Sequence, residues 1–260
     1  NLPDLNRPTG TLLPPPQRLS PMTPNLLNIT PELTASVATK TAAARILLAD
    51  IAHNWSPATF ANSLGAEDMV ITDLILKAKL AINIFSLDTG RLPAETYDLM
   101  AEVEKHYKHK LTVFFPRADD VELYVRNQGI NAFYDSVTLR KACCAIRKVE
   151  PLKRALAGKR AWITGMRAEQ AATRGNLALR EYDEGNGLEK FNPLADWSEK
   201  EVWTYIKQHN VPYNALHNKF FPSIGCAPCT RAISLGEDVR SGRWWWEDPT
   251  SKECGLHVKG

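Results

Sequence analysis

The sequence predicts an α/β fold, a single domain with a mostly parallel, twisted sheet flanked by helices. Three observations predict it. Short runs rich in β-branched and aromatic residues, such as Ile82-Asn83-Ile84-Phe85 and Leu111-Thr112-Val113-Phe114-Phe115, recur along the chain. Stretches with apolar residues at helical spacing separate them. The length of 260 residues is enough for one such domain with a full core.

Residues 32–55 place Leu33, Val37, Ala44, Leu47, Leu48 and Ile51 at helical spacing. Thr59-Phe60-Ala61 reads as a short strand, and residues 67–79 return to a helix through Met69, Val70, Leu74 and Ile75. A second strand covers 81–85, and a helix with Pro93 at its start, where proline is tolerated, covers 93–109. The third strand, 111–115, is stopped by Pro116, and helices follow at 119–127 and 139–157. Residues 160–164 form a fourth strand and 177–182 a fifth. The last helix, 198–208, opens on a Ser198 cap with Glu201 three residues on. Ligands of such sheets bind beyond the carboxyl ends of the strands, which directs attention to the turns after residues 61, 86, 116 and 164.

Three regions are expected: a Pro-rich flexible arm at 1–31 with eight prolines, a body at 32–246, and a short polar mobile tail at 247–260. The arm lacks the apolar core of a secretory signal and the pattern of a transit peptide. Apolar residues make up 44% and charged residues 23%, as in ordinary globular proteins, and no run reaches eighteen apolar residues. A net charge of +3 is too small to argue for a nucleic acid or membrane partner. A cytoplasmic protein is expected, with homo-oligomer formation left open.

Two turns carry candidate ligand contacts. In Asn62-Ser63-Leu64-Gly65-Ala66-Glu67-Asp68, small residues at Ser63 and Gly65 let backbone N–H groups approach an anion at a helix N-terminus. The next strand ends in the polar turn Leu87-Asp88-Thr89-Gly90-Arg91-Leu92, and two such turns at one sheet edge favour a phosphate or ribose site.

The five cysteines are odd in number, which argues against a disulfide scaffold. Cys143 and Cys144 are neighbours on a helix, and 81 residues separate them from Cys226-Ala227-Pro228-Cys229. Two such pairs complete a four-coordinate site for zinc or an iron–sulfur cluster. Adjacent helical residues project about 100° apart, which suits the separate corners of a cubane better than one ion. A buried thiol pair and a redox-active CxxC remain open. Cys254 lies in the tail among Lys252, His257 and Lys259, cations that would favour a nucleophilic thiolate. Lys148 stands four residues after Cys144, on the same face of an α-helix. Arg167, Arg174, Arg240 and Arg243 supply guanidinium groups of the kind that read phosphate and sulfate oxygens bidentately.

Together these residues resemble the sulfonucleotide reductase family, and within it the assimilatory adenylylsulfate reductases. The matching pieces are the turns 63–68 and 87–92, Cys143-Cys144 with Arg147-Lys148, Cys226-x-x-Cys229, Arg240-x-x-Arg243 and Glu253-Cys254-Gly255-Leu256-His257. The resemblance implies a fold like that of the adenine-nucleotide pyrophosphatases, whose first turn reads SGGxDS. Here Leu64, Glu67 and Asp68 depart from that loop, which argues against ATP hydrolysis, and Asn62 replaces a frequent Ser. Both cysteine pairs imply a [4Fe–4S] cluster on Cys143, Cys144, Cys226 and Cys229, and adenosine 5′-phosphosulfate as substrate. The implied scheme has the Cys254 thiolate attacking the substrate sulfur. AMP leaves, and a thioredoxin or glutaredoxin then releases sulfite. Ser63, Gly65, Asp88, Lys148, Arg167, Arg174, Arg240, Arg243 and His257 are the expected substrate contacts. The chain stops just after this motif, which implies an external reductant. The alternatives are a reductase for the 3′-phosphorylated substrate, an ATP-using PP-loop ligase or tRNA-modifying enzyme, and a metal-stabilised nucleotide-binding module.

Overall fold

The computed structural model describes residues 27–170 and 177–248. Its elements run α1 (Pro31–Asn54), β1 (Ala58–Ala61), α2 (Ala66–Lys77), β2 (Ile82–Leu87), α3 (Ala94–Tyr107), β3 (Thr112–Phe114) and α4 (Ala118–Gln128). Then come α5 (Val137–Cys144), a π-helical turn (Ala145–Val149), α6 (Glu150–Leu156), β4 (Ala161–Ile163), β5 (Arg180–Asp183), β6 (Leu188–Phe191) and α7 (Glu199–His209). The strands form one sheet in the order β3-β2-β1-β4-β6-β5. All neighbours pair in parallel except β5, which runs antiparallel to β6. Winding runs outward from β1 to β3 and then restarts on the other side at β4. The β1–β4 boundary is therefore the switch point where α/β sheets open a ligand crevice.

Strand periodicity sorts the core into two layers. Phe60, Ile82, Ile84, Ala161, Ile163 and Phe191 join the cluster built with α1, α2, α3 and α7. Phe85, Trp162 and Leu188 face the other way, onto Leu152, Ala155 and Leu156 of α6. Thr30 caps α1 by accepting from Leu33 N, and Leu27 packs on the core; both lie within the stretch 1–31. The capping box at Ser198 and Glu201 is formed as expected.

Three features differ from the sequence reading. The strand at 177–182 is β5 at Arg180–Asp183, and its hairpin partner β6 was not foreseen. In β6 the charged pair Glu189 and Lys190 hides the strand pattern, yet Lys190 is buried and bonds Glu181 at 2.9 Å. The helix read across 139–157 is broken by the π-turn, so its residues do not keep one α-helical face. Among the described residues, no helix is long and apolar enough to cross a membrane.

Asp73 is fully buried in α2 and accepts from Tyr107 of α3 at 2.8 Å and Tyr205 of α7 at 2.7 Å, with Lys77 at 3.0 Å. Asp73→Ala strands the buried Tyr205 hydroxyl, at about 1–3 kcal/mol, and removes the partner of the half-buried Tyr107 hydroxyl. Urea unfolding should show a lower midpoint with the sheet otherwise intact.

Candidate active site

A cavity of about 300 Å³ lies over the carboxyl ends of β1, β2 and β4. The turn after β1 forms one wall. Leu64 takes a left-handed φ of 64°, a conformation that favours the glycine of an SGG loop, while its N–H donates to Asn62 Oδ1 at 2.7 Å. Asn62 is buried and also donates to Thr72 at 2.9 Å, so it braces the turn from beneath.

Ser63 and Gly65 line the cavity, as the sequence suggested, but the donors of Ser63 are engaged. Its N–H and its hydroxyl each donate to Asp68 Oδ2 at 2.6 Å. The N–H of Gly165, from the turn after β4, also reaches Asp68. A Cβ on Gly165 would run into that carboxylate. Burial pushes the Asp68 carboxyl up to about 7 despite these donors. Glu67 is held low: Arg167 at 2.8 Å overcomes the cost of burial. Glu199 is pushed up to about 7, chiefly by burial, with Glu67 and Glu169 adding to it. His217, stacked edge-on against Trp203, is lowered to about 4 by burial and is neutral at pH 7. The cavity is therefore lined in part by Glu67, Asp68, Glu199 and His217, none of which the sequence reading singled out as contacts. The PP-loop comparison noted Glu67 and Asp68 only as departures.

The expected cations divide. Lys148, Arg240 and Arg243 line the cavity. Arg243 points Nη1 at Ile224 O, 3.2 Å away, and its guanidinium lies 4.8 Å from the Trp244 ring centre. A Cβ on Gly225 would collide with that guanidinium. Arg167 also lines the cavity, but its guanidinium is committed to Glu67, to Glu169 at 2.7 Å and to Trp197 O at 3.2 Å. Asp88 closes its own turn by accepting from Gly90 N at 2.7 Å and Tyr97 hydroxyl at 2.9 Å; its neighbours Leu87 and Thr89 line the cavity. Arg174, Cys254 and His257 lie outside the described residues.

The four remaining cysteines form no disulfide among the described residues, and all line one small adjoining cavity with Arg147, Lys148, Pro228 and Trp244. Cys144, Cys226 and Cys229 are buried and Cys143 is half-buried. Thr89 Oγ1 lies 3.2 Å from Cys226 Sγ, and Arg147 donates to Thr89 O at 2.6 Å. Burial pushes the Cys229 thiol up to about 11, Cys226 adds to this, and Lys148 and Arg243 pull against it. The π-turn after Cys144 displaces Lys148 from simple i,i+4 spacing, yet Lys148 lines both cavities. Among the described residues no three His, Cys, Asp or Glu side chains are gathered tightly enough to hold a single metal ion. An all-thiol set of four, divided into two pairs around one cavity, suits a group with several metal corners better than one ion.

The fold and its cavities define a doubly wound α/β protein with a ligand crevice at the switch point and a four-thiol compartment against it. Comparison with known proteins makes this specific. Residues 57–232 match the phosphoadenosine phosphosulfate reductase domain. The adenosine 5′-phosphosulfate reductase of Allochromatium vinosum is 58% identical over 86% of this chain and 88% of its own. That of Burkholderia cepacia is 54% identical over 88% and 90%. The phosphoadenylyl-sulfate reductase of Candida auris, solved as a phosphate complex, superposes with a TM-score of 0.64 at 26% identity, covering 80% of this chain and 99% of its own. The chain belongs to the phosphoadenosine phosphosulfate reductase family.

Asp68 and Glu199 bind protons more tightly in the folded state than in the unfolded chain, where carboxyls titrate near about 4. The folded state therefore holds more protons between about pH 4 and about 7, and stability falls as pH rises through that window. Urea midpoints measured from pH 5 to 8 should decline, and Asp68→Asn should flatten part of the slope.

Proposed function

We propose that this protein reduces adenosine 5′-phosphosulfate to sulfite and AMP in assimilatory sulfate reduction, in the cytoplasm, with electrons from an external thioredoxin or glutaredoxin. The observation that carries this reading is the shared wall of the two cavities: Lys148, Cys226 and Trp244 line both. A nucleotide site and a four-thiol site in contact suit an anionic sulfonucleotide beside an iron–sulfur group. Relatives named adenosine 5′-phosphosulfate reductase, 54–58% identical over most of the chain, support the substrate.

In this reading the body at 32–246 binds substrate and the tail at 247–260 carries the nucleophile. Cys143, Cys144, Cys226 and Cys229 hold a [4Fe–4S] cluster. When bound, that cluster would tie α5 to the Cys226-x-x-Cys229 turn and shape the field behind Lys148, with no net electron exchange. Nucleotide rests on the turns at Ser63, Gly65 and Asp88. Lys148, Arg240 and Arg243 face the phosphosulfate, with Arg174 and His257 as further cations. They offset the repulsion between an anionic substrate and an attacking thiolate. Arg167 acts by holding Glu67 and the switch-point turns. The Cys254 thiolate attacks sulfur, the S–O bond to phosphate breaks, AMP departs with the electron pair, and a Cys–S–SO₃⁻ forms. A reductant thiolate then attacks Cys254 Sγ, sulfite leaves with the electron pair, and the second reductant thiol resolves the mixed disulfide. The reductant dithiol is oxidised and the sulfur is reduced by two electrons.

Anaerobically purified protein should release sulfite from adenosine 5′-phosphosulfate with reduced thioredoxin and hold about four irons per chain. Cys254→Ser should lower kcat by at least about a thousandfold while iron content and AMP binding persist. Substantial sulfite from that variant would overturn the scheme. Faster turnover of the 3′-phosphorylated substrate would move the assignment to that reductase.

Gly225→Ala should push the Arg243 guanidinium aside without unfolding the protein, because the obstructed group is the end of a flexible side chain. Loss of one charge-assisted contact, about 1.5–3 kcal/mol, should raise KM for the sulfonucleotide about tenfold or more in steady-state assays.

A further inference from the structure

Beneath the four-thiol cavity sits a buried ion pair that the proposed chemistry does not use. Arg140 of α5 is fully buried, and its Nε and Nη2 donate to Glu247 Oε1 and Oε2 at 2.9 and 2.7 Å. The Glu247 side chain retains 3% of its exposure. Burying two charges is costly, and breaking such a pair by removing one partner leaves an uncompensated charge. A two-pronged guanidinium–carboxylate bond also fixes orientation as well as distance.

What the pair joins is specific. Arg140 precedes Cys143 and Cys144 by three and four residues, one turn of the same helix, and it lines the four-thiol cavity. Glu247 belongs to a tightly held segment. Trp244 N–H donates to Cys229 O at 3.1 Å, Glu247 N–H donates to Trp244 O at 2.9 Å, and Thr230 bridges Arg243. Trp244 is buried and has the Arg140 and Arg243 guanidinium carbons 4.7 and 4.8 Å from its ring centre. Cys254 follows Glu247 by seven residues. A chain of that length spans at most roughly 25 Å. The place where Glu247 is pinned therefore sets the sphere within which the Cys254 thiol must lie.

We propose that Arg140 and Glu247 are positioning residues. Their ion pair fixes the point from which the chain runs to Cys254, and fastens that point to the helix carrying Cys143 and Cys144. The inference rests on the reading of Cys254 as nucleophile. Neither residue lines the nucleotide cavity, so the pair acts on delivery of the thiol and not on nucleotide binding.

The test uses the anaerobically purified full chain. Glu247→Gln keeps the shape and loses the charge. Arg140→Met combined with Glu247→Leu removes both charges and fills similar volume, which avoids stranding a buried cation. Iron per chain, the AMP dissociation constant, kcat and the single-turnover rate of the Cys254 thiosulfonate, followed by mass spectrometry, are measured for each. Expected are iron content and AMP affinity within about twofold of wild type, with kcat and adduct formation lower by about tenfold to a hundredfold. Arg140→Lys, which keeps the charge but loses the fork, should fall between. A double variant with wild-type kcat would overturn the proposal, as would AMP affinity or iron content falling in step with kcat. Cys254→Ser on the wild-type background is read separately: sulfite from that variant rejects the nucleophile assignment itself, whatever the pair does.

Discussion

The Asp68 carboxylate spans the gap between the two turns at which the sheet reverses its winding. It takes both donors of Ser63 from the turn after β1 and the N–H of Gly165 from the turn after β4. Only glycine at 165 leaves room for it. Next to this junction, Arg167 of the turn after β4 meets Glu67 of α2 at 2.8 Å. The carboxylate also occupies the donors that an ATP-handling loop would offer to a phosphate, which fits a substrate with no pyrophosphate to bind.

The cavity carries groups of both signs. Glu67, Asp68, Glu199 and neutral His217 line it, and so do the cations Lys148, Arg240 and Arg243. On the proposed reading, the phosphosulfate lies against these cations. Lys148 and Arg243 are also felt at Cys229, so the charges facing substrate and the charges facing the thiols are partly the same groups. Lys148 lies within the π-turn that follows Cys144 and borders both compartments.

Much of the fold was legible because burial writes itself as periodicity. The alternation in Ala81-Ile82-Asn83-Ile84-Phe85 marks a strand with Ile82 and Ile84 on a buried face and Asn83 turned outward, and the spacing from Val37 to Ile51 marks a packed helix. Strand β6 was not legible, since Lys190 enters the interior only because Glu181 on the neighbouring strand meets it. The site divides in the same way. Cysteine pairs and the turn at Ser63 stand out by composition and spacing. His217, Glu199 and Glu247 do not, because each is an ordinary residue until the fold buries it.

The sequence by itself determined the class of the fold, the crevice at the carboxyl edge of the sheet, the two cysteine pairs and the residue types available to meet an anion. These follow from local rules, hydrophobic period and turn chemistry, that act over a few neighbours. Only the tertiary structure decided which donors are already spent, as at Ser63 and Arg167, and that Lys148 borders both cavities. It alone brought Arg140 to Glu247 across 107 residues. Such pairings depend on which side chains lose their water together, and that is set by the packing of distant segments, not by their spacing along the chain.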